Sequence, residues 1–313
     1  MNRNHFLRLI ILGIGFFIFS FCLPGCKNKT KGPYDSIKGG TIHISVDESF
    51  KPVIEEQIQV FEKSFPDTHI IADYKTEADC IKDLFRDTSN RMIIVTRGLT
   101  EEEDQYFKDT LRYLPHWNEI ASDAIAIIVN SKNNDTLFTI DRLKKQLTGL
   151  SNRDETVVFD GLNATSTVRY ALDSILRGQK FDTSIVRAVK NSQEVINYVA
   201  EHADAIGFVG ISWIGNPEDS AQVNMLRKVK IAYVSCDVCK DSPYVKPMQM
   251  SILTKRYPLV RGLYYILKEN YDGLGTRFVN FMKNERGQLI FKRAYLGAKM
   301  GFGVRNVKIN EKL

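Results

Sequence analysis

Histidine and cysteine are scarce in this chain, five of each among 313 residues, and what they cannot build removes several function classes. His5 is close to the N-terminus, and His43, His69, His116 and His202 stand singly, one per expected element. No H-E-x-x-H pair, Walker loop, G-x-G-x-x-G turn or G-x-S-x-G elbow occurs. Cys22 and Cys26 are N-terminal, leaving Cys80, Cys236 and Cys239 for the body. The C-D-V-C stretch at 236–239 lacks the second ligand pair that zinc needs, so it reads as incidental, as a local disulfide or as a redox pair. No metal, cofactor or catalytic residue is expected, and the chain does not read as an enzyme.

A basic excess is also missing from the body, although the formal charge is +6. Arg3, Arg8, Lys27, Lys29 and Lys31 all precede residue 33, with no acid among them. Setting those five aside from the 43 basic residues leaves 38 against 37 acidic ones. A nearly neutral body argues against a nucleic-acid partner, which calls for a basic face.

What the N-terminus does contain is a leader. Arg3 and Arg8 precede the charge-free run "LIILGIGFFIFSF", which is short for a bilayer span of roughly 20 residues. "LPGC" follows and resembles the bacterial lipobox, in which the bond before the cysteine is cut and its sulfur acylated. Residues 1–25 are therefore expected to be a lipoprotein signal peptide, Cys26 the lipidated residue and 26–39 a polar tether. The lysines of that tether suit anionic headgroups. A mature chain of 288 residues is longer than one core usually organises and suggests two lobes.

The body alternates strands and helices. "TIHISV" (41–46), "THIIADY" (68–74) and "RMIIVT" (91–96) read as strands; "FKPVIEEQIQVFEKSF" and "EADCIKDLF" read as the helices between them. Pro52 suits a first helical turn, and Thr76–Asp79 and Thr100–Glu103 have capping-box spacing. "SDAIAIIVN" (122–130), "TVVF" (156–159) and "AIGFVGISWI" (205–214) continue the strands, with helices over "TIDRLKKQLTGL", "STVRYALDSIL" and "SQEVINYVAEHA". Helical patterns are expected at 258–270 and, unbroken, over 276–296. This is an α/β order with parallel strands.

Small hydroxyl residues recur where a strand hands over to a helix: Ser49, Thr96 beside Arg97, and Asn163 through Thr167. Asn163-Ala164-Thr165 also matches a glycosylation acceptor, which has little use in a bacterial envelope. Each group could simply cap its helix. Three at C-terminal strand ends are also where open α/β sheets hold ligands, and neutral donors there suit an anion. Arg97 could supply a countercharge as a fork, whereas Arg169, one turn inside its helix, reads as solvent-facing.

The order of "TIHISVDESFKPVIEEQIQVFEKSFP", "MIIVTRGLTEEE", "ASDAIAIIVN", "FDGLNATSTVRYAL", "AIGFVGISWI" and "YPLVRGLYYILKE" resembles the phosphate-binding proteins of bacterial ABC transporters, over about residues 40–298. The resemblance implies an α/β, two-lobed class II periplasmic-binding-protein fold, each lobe a mostly parallel sheet flanked by helices, with a hinge between. Lobe 1 would comprise residues 40–118 and 246–313, and lobe 2 residues 119–245. It implies capture of inorganic phosphate in the interlobe cleft for an ABC permease in the inner membrane, by a monomer anchored through lipid and facing the periplasm. The alternatives are the same fold taking another small anion, an envelope sensor, or an envelope phosphatase using Asp47 or Asp160. The phosphate ligands implied are Ser49, Thr96, Arg97, Asn163, Thr165, Ser166 and Thr167. Two departures stand out: the helix start at 163–167 lacks the family's glycines, and Arg97 stands where some members carry an aspartate.

Overall fold

Ile42, Ile44 and Val46 alternate along the first long strand and are buried on one face, as a half-covered strand requires. The computed structural model describes residues 35–161, 164–240 and 243–301. Cys26, the leader and Asn163 lie outside the described residues. In the first half, β1 (Gly39–Asp47) pairs in parallel with both β2 (Thr68–Lys75) and β3 (Asn90–Val95). Between them run α1 (Lys51–Ser64) and α2 (Glu77–Arg86), and α3 (Glu101–Leu111) follows β3. Pro52 sits in the first turn of α1, Thr76 accepts from the Asp79 amide, and the Thr100–Glu103 capping box is complete.

β4 (His116–Asn130) is longer than expected and serves both halves. Eight of its first nine residues pair with a late strand, β9 (Val260–Leu267), and Ile125–Val129 pair with β7 (Ala205–Gly210). In the second half, β7 pairs in parallel with β5 (Thr156–Phe159), and β5 with β6 (Val186–Ala188). α4 (Ile140–Leu147), α5 (Ser166–Tyr170) and α6 (Ser192–Glu201) flank these strands. β8 (Val229–Ile231) adds an antiparallel edge to β4. The order through the main sheet is β1-β3-β9-β4-β7-β5-β6, with β2 beside β1.

The structure corrects the reading of 258–270. Val260–Leu267 is a strand, β9, antiparallel to both β3 and β4. Arg261, Leu263 and Tyr265 are buried in alternation, and two flanking strands satisfy the backbone that a helix would otherwise have satisfied internally. The expected helix at 276–296 is two, α7 (Leu274–Lys283) and α8 (Glu285–Arg293), broken at an extended Asn284. Gly287 permits the tight return: a Cβ there would lie 2.4 Å from the Phe281 carbonyl oxygen. The strand expected over 205–214 stops at Gly210 and continues as a 3₁₀ turn at Ile211–Trp213. α5 runs on as a π-helical turn through Leu176.

Phe61 anchors the packing of α1, with ring centroids 5.0, 5.1 and 5.4 Å from Phe65, Phe278 and Phe281. Cys80 belongs to a smaller buried cluster under α2 and α3 with Leu84, Ile93 and Phe107. Cys236 and Cys239 form a disulfide, one of the alternatives that their spacing leaves open. Among the described residues, no helix is long and apolar enough to cross a membrane, and no group of three metal-ligating side chains occurs.

Candidate functional site

The chain leaves β1 at Asp47 and makes a tight turn through Glu48, Ser49 and Phe50 before α1. Asp47 Oδ1 fixes that turn, accepting from the Ser49 amide at 3.0 Å and its hydroxyl at 2.9 Å. The corresponding exit from β5 is built alike. Asp160 accepts from the hydroxyls of Thr165 at 2.9 Å and Thr167 at 3.3 Å, and Thr165 in turn caps α5 by accepting from the Val168 amide. Ala164 has φ of 71°, the left-handed region where glycine is favoured, so the turn is made at some steric cost.

These two strand ends meet. Ser166 Oγ lies 3.3 Å from Ser49 Oγ, and one guanidinium spans the pair: Arg261 donates to Ser166 at 2.8 Å and to Ser49 at 3.0 Å. Arg261 is 6% exposed and is oriented by Nε donation to Asp123 Oδ2 at 2.7 Å. Its guanidinium also lies 5.3 Å from the Phe50 ring centroid. Burial opposes the guanidinium's charge, but Asp123 and Asp47 outweigh it and hold its pKa above the ordinary value. Asp47 is pushed up to about 6 by burial, against the pull of Arg261 and with a further push from Glu77. The Ser166 hydroxyl eases that charge, yet Asp47 Oδ2 has no partner in hydrogen-bond geometry among the described residues. Burial raises Asp160 as well, with Thr165 opposing.

A second cluster joins the halves nearby. Thr96 donates from its amide at 3.0 Å, and through its hydroxyl, to Glu77 Oε1. Arg169 reaches over from α5, donating from Nε to Glu77 Oε2 at 2.6 Å and from Nη2 to Thr96 Oγ1 at 2.6 Å. Burial resists the charge on Glu77, but these bonds hold its carboxyl below the usual value. Glu48 makes a third contact, accepting from the Ser192 hydroxyl at 2.7 Å, while burial pushes it up to about 7.

Ser49, Thr165, Ser166 and Thr167 are thus brought together, all buried. Thr96 is held by Glu77 and Arg169. Arg97 is turned away, its guanidinium clasped by the Glu103 carboxylate at 2.7 and 2.8 Å. The fork suited to an anion is Arg261, which the helical reading of 258–270 conceals. The visible signal is a lone arginine inside the apolar run "YPLVRGLYYIL". Arg169, read as solvent-facing, is half-engaged across the two halves.

The sequence matches the PBP superfamily domain over residues 35–286. The phosphate-binding protein PstS of Bacillus subtilis is 22% identical, with 91% of this chain and 90% of that protein covered. Among solved structures, a candidate phosphate ABC transporter substrate-binding protein of Clostridium perfringens with bound phosphate superposes with a TM-score of 0.68 at 21% identity, covering 83% of this chain and 100% of that one. An ABC-type phosphate transport receptor of Vibrio cholerae gives 0.58 at 19% identity, with 83% and 100% covered. At such identities the likeness concerns the fold: two lobes, each a mostly parallel sheet flanked by helices, with a hinge between them. The chain belongs to the PBP superfamily.

Proposed function

We propose that this chain is a lipid-anchored, non-enzymatic binding protein that captures inorganic phosphate between two lobes and delivers it to an ABC permease. The lobes are residues 40–118 with 246–313, and residues 119–245; Cys26 carries the lipid. One observation carries the reading: hydroxyls from the two halves, Ser49 and Ser166, converge on the single buried fork of Arg261. An oxyanion entering there takes over these donors from both sides, so it binds the closed form better than the open one and drives closure. The names of the relatives support phosphate as the anion.

The carboxylates of Asp47 and Asp160 beside the site select what enters. They repel a fully ionised anion and accept hydrogen bonds from one that carries a proton. Phosphate keeps a proton at neutral pH and sulfate does not. Titration calorimetry of the purified protein is expected to show phosphate binding and at least about a hundredfold weaker sulfate binding, the size of one or two charged hydrogen bonds. Absence of heat with millimolar phosphate, in buffers of differing ionisation enthalpy, would remove the phosphate reading.

A further inference from the structure

A cavity of ≈ 580 Å³ borders the hydroxyl–guanidinium cluster and shares three residues with it: Asp47, Asp160 and Thr165. Phosphate is one phosphorus and four oxygens, whereas cavities of roughly 300–1,000 Å³ are the size that holds organic ligands. Its walls come from both halves, from Tyr74 and Lys51 on one side and Lys190 and Trp213 on the other.

The chemistry of those walls is specific. Asp47 is 2% exposed, and its Oδ2 has no hydrogen-bond partner among the described residues, nor has the buried phenol oxygen of Tyr74. A buried polar atom without a partner costs free energy unless a ligand supplies one. A carboxylate accepts and a phenol both donates and accepts, so hydroxyl groups complement both. Trp213 spends its indole N–H on the Glu48 carbonyl at 3.3 Å, which leaves its ring as an apolar wall. An unpaired carboxylate oxygen, a phenol and an indole face together suit a polyol or sugar ring, which presents hydroxyls at its edge and C–H groups on its face.

We propose that the site takes a hydroxylated phosphomonoester, a sugar or polyol phosphate, as its monoanion, which keeps the proton that the neighbouring carboxylates accept, with its phosphoryl group at Arg261, Ser49 and Ser166 and its hydroxylated part in this cavity. The inference rests on the anion-capture reading above and extends it to a ligand class.

The test is calorimetry of the full-length protein at about pH 5.5, where the esters as well as inorganic phosphate mostly carry a proton, with inorganic phosphate, glycerol 3-phosphate and glucose 6-phosphate, on the wild type and on Tyr74→Phe. The expected result is that at least one ester binds as tightly as phosphate and competes with it. Tyr74→Phe should weaken that ester about tenfold, one lost hydrogen bond, and leave inorganic phosphate within twofold. If phosphate binds and both esters bind over a hundredfold more weakly, the ester proposal is wrong and anion capture stands. Equal weakening of ester and phosphate by Tyr74→Phe overturns the placement in the cavity. If neither phosphate nor ester binds, the anion-capture reading falls and takes this one with it.

Discussion

Arg169 Nε donates to Glu77 Oε2 at 2.6 Å although 92 positions separate the two residues. The bond ties α5, in the second half, to the start of α2, in the first. Glu77 is 3% exposed and Arg169 considerably more, so the pair is strengthened by burial at one end and screened by water at the other. A clasp of this kind helps hold the halves together independently of anything bound at Arg261.

Arg169→Ala is expected to lower stability by about 1–2 kcal/mol, less than a fully buried pair would lose because the arginine is partly solvated. Urea denaturation measures it, and Glu77→Gln, which keeps a bond to Thr96 without an unpaired charge, should cost less. Equal costs for the two variants would mean that the charge is irrelevant.

Asp47 makes stability depend on pH. Its folded pKa, about 6, exceeds the ordinary value of 3.8, so the folded state binds the proton more tightly. The penalty for ionising it is absent below the lower value, grows as pH rises between the two, and is complete above about 6. Asp47→Asn, which still offers Ser49 an acceptor, should therefore stabilise the protein at pH 8, by at most about 3 kcal/mol, and bring no gain at pH 3.5. A gain that persists undiminished at pH 3.5 would argue against this titration. The same variant should narrow the preference for phosphate over sulfate, since it removes the charge that repels sulfate.

Arg261→Lys keeps a cation beside Asp123 but loses the fork that spans Ser49 and Ser166. Phosphate affinity is expected to fall about a hundredfold, the size of a lost charged hydrogen-bond pair. Arg97→Ala, in contrast, should leave affinity within twofold, because Glu103 already holds that side chain. The reverse ranking in calorimetry would return the anion to Arg97.

Gly210 lets the cluster close. A Cβ there would lie 2.9 Å from the Ser49 carbonyl oxygen and 3.2 Å from Arg261 Nη2. Gly210→Ala should cost about 1–3 kcal/mol through overpacking, read as a lower thermal midpoint, and should weaken phosphate binding by displacing Ser49. A variant as stable and as tight-binding as the parent would show that the backbone yields freely.

Features held within a few residues are legible in the sequence alone. The Thr100–Glu103 capping box, the Thr76 cap and the alternation of Ile42, Ile44 and Val46 each involve neighbours along the chain, so spacing is enough to find them. So is the strand exit at Thr165–Thr167, because Thr165 caps the helix it opens; Ser49 instead lies in the turn before α1 and donates its hydroxyl to Asp47. The arginine of the site is hidden for a physical reason. Arg97 follows the strand directly and looks available, but Glu103, on the first turn of the next helix, is both the capping-box partner of Thr100 and the counterion of Arg97.

The sequence by itself determined the α/β rhythm, the helix starts and the small hydroxyls at the ends of β1 and β5, since these depend on local backbone geometry and hydrophobic period. Only the tertiary structure decided that "VRGLYYIL" is a strand, because pairing with β3 and β4 outweighs any helical pattern in so short an apolar run. That pairing aims Arg261 inward, and the meeting of two halves places Ser49 against Ser166 across 117 residues, a distance no local pattern encodes.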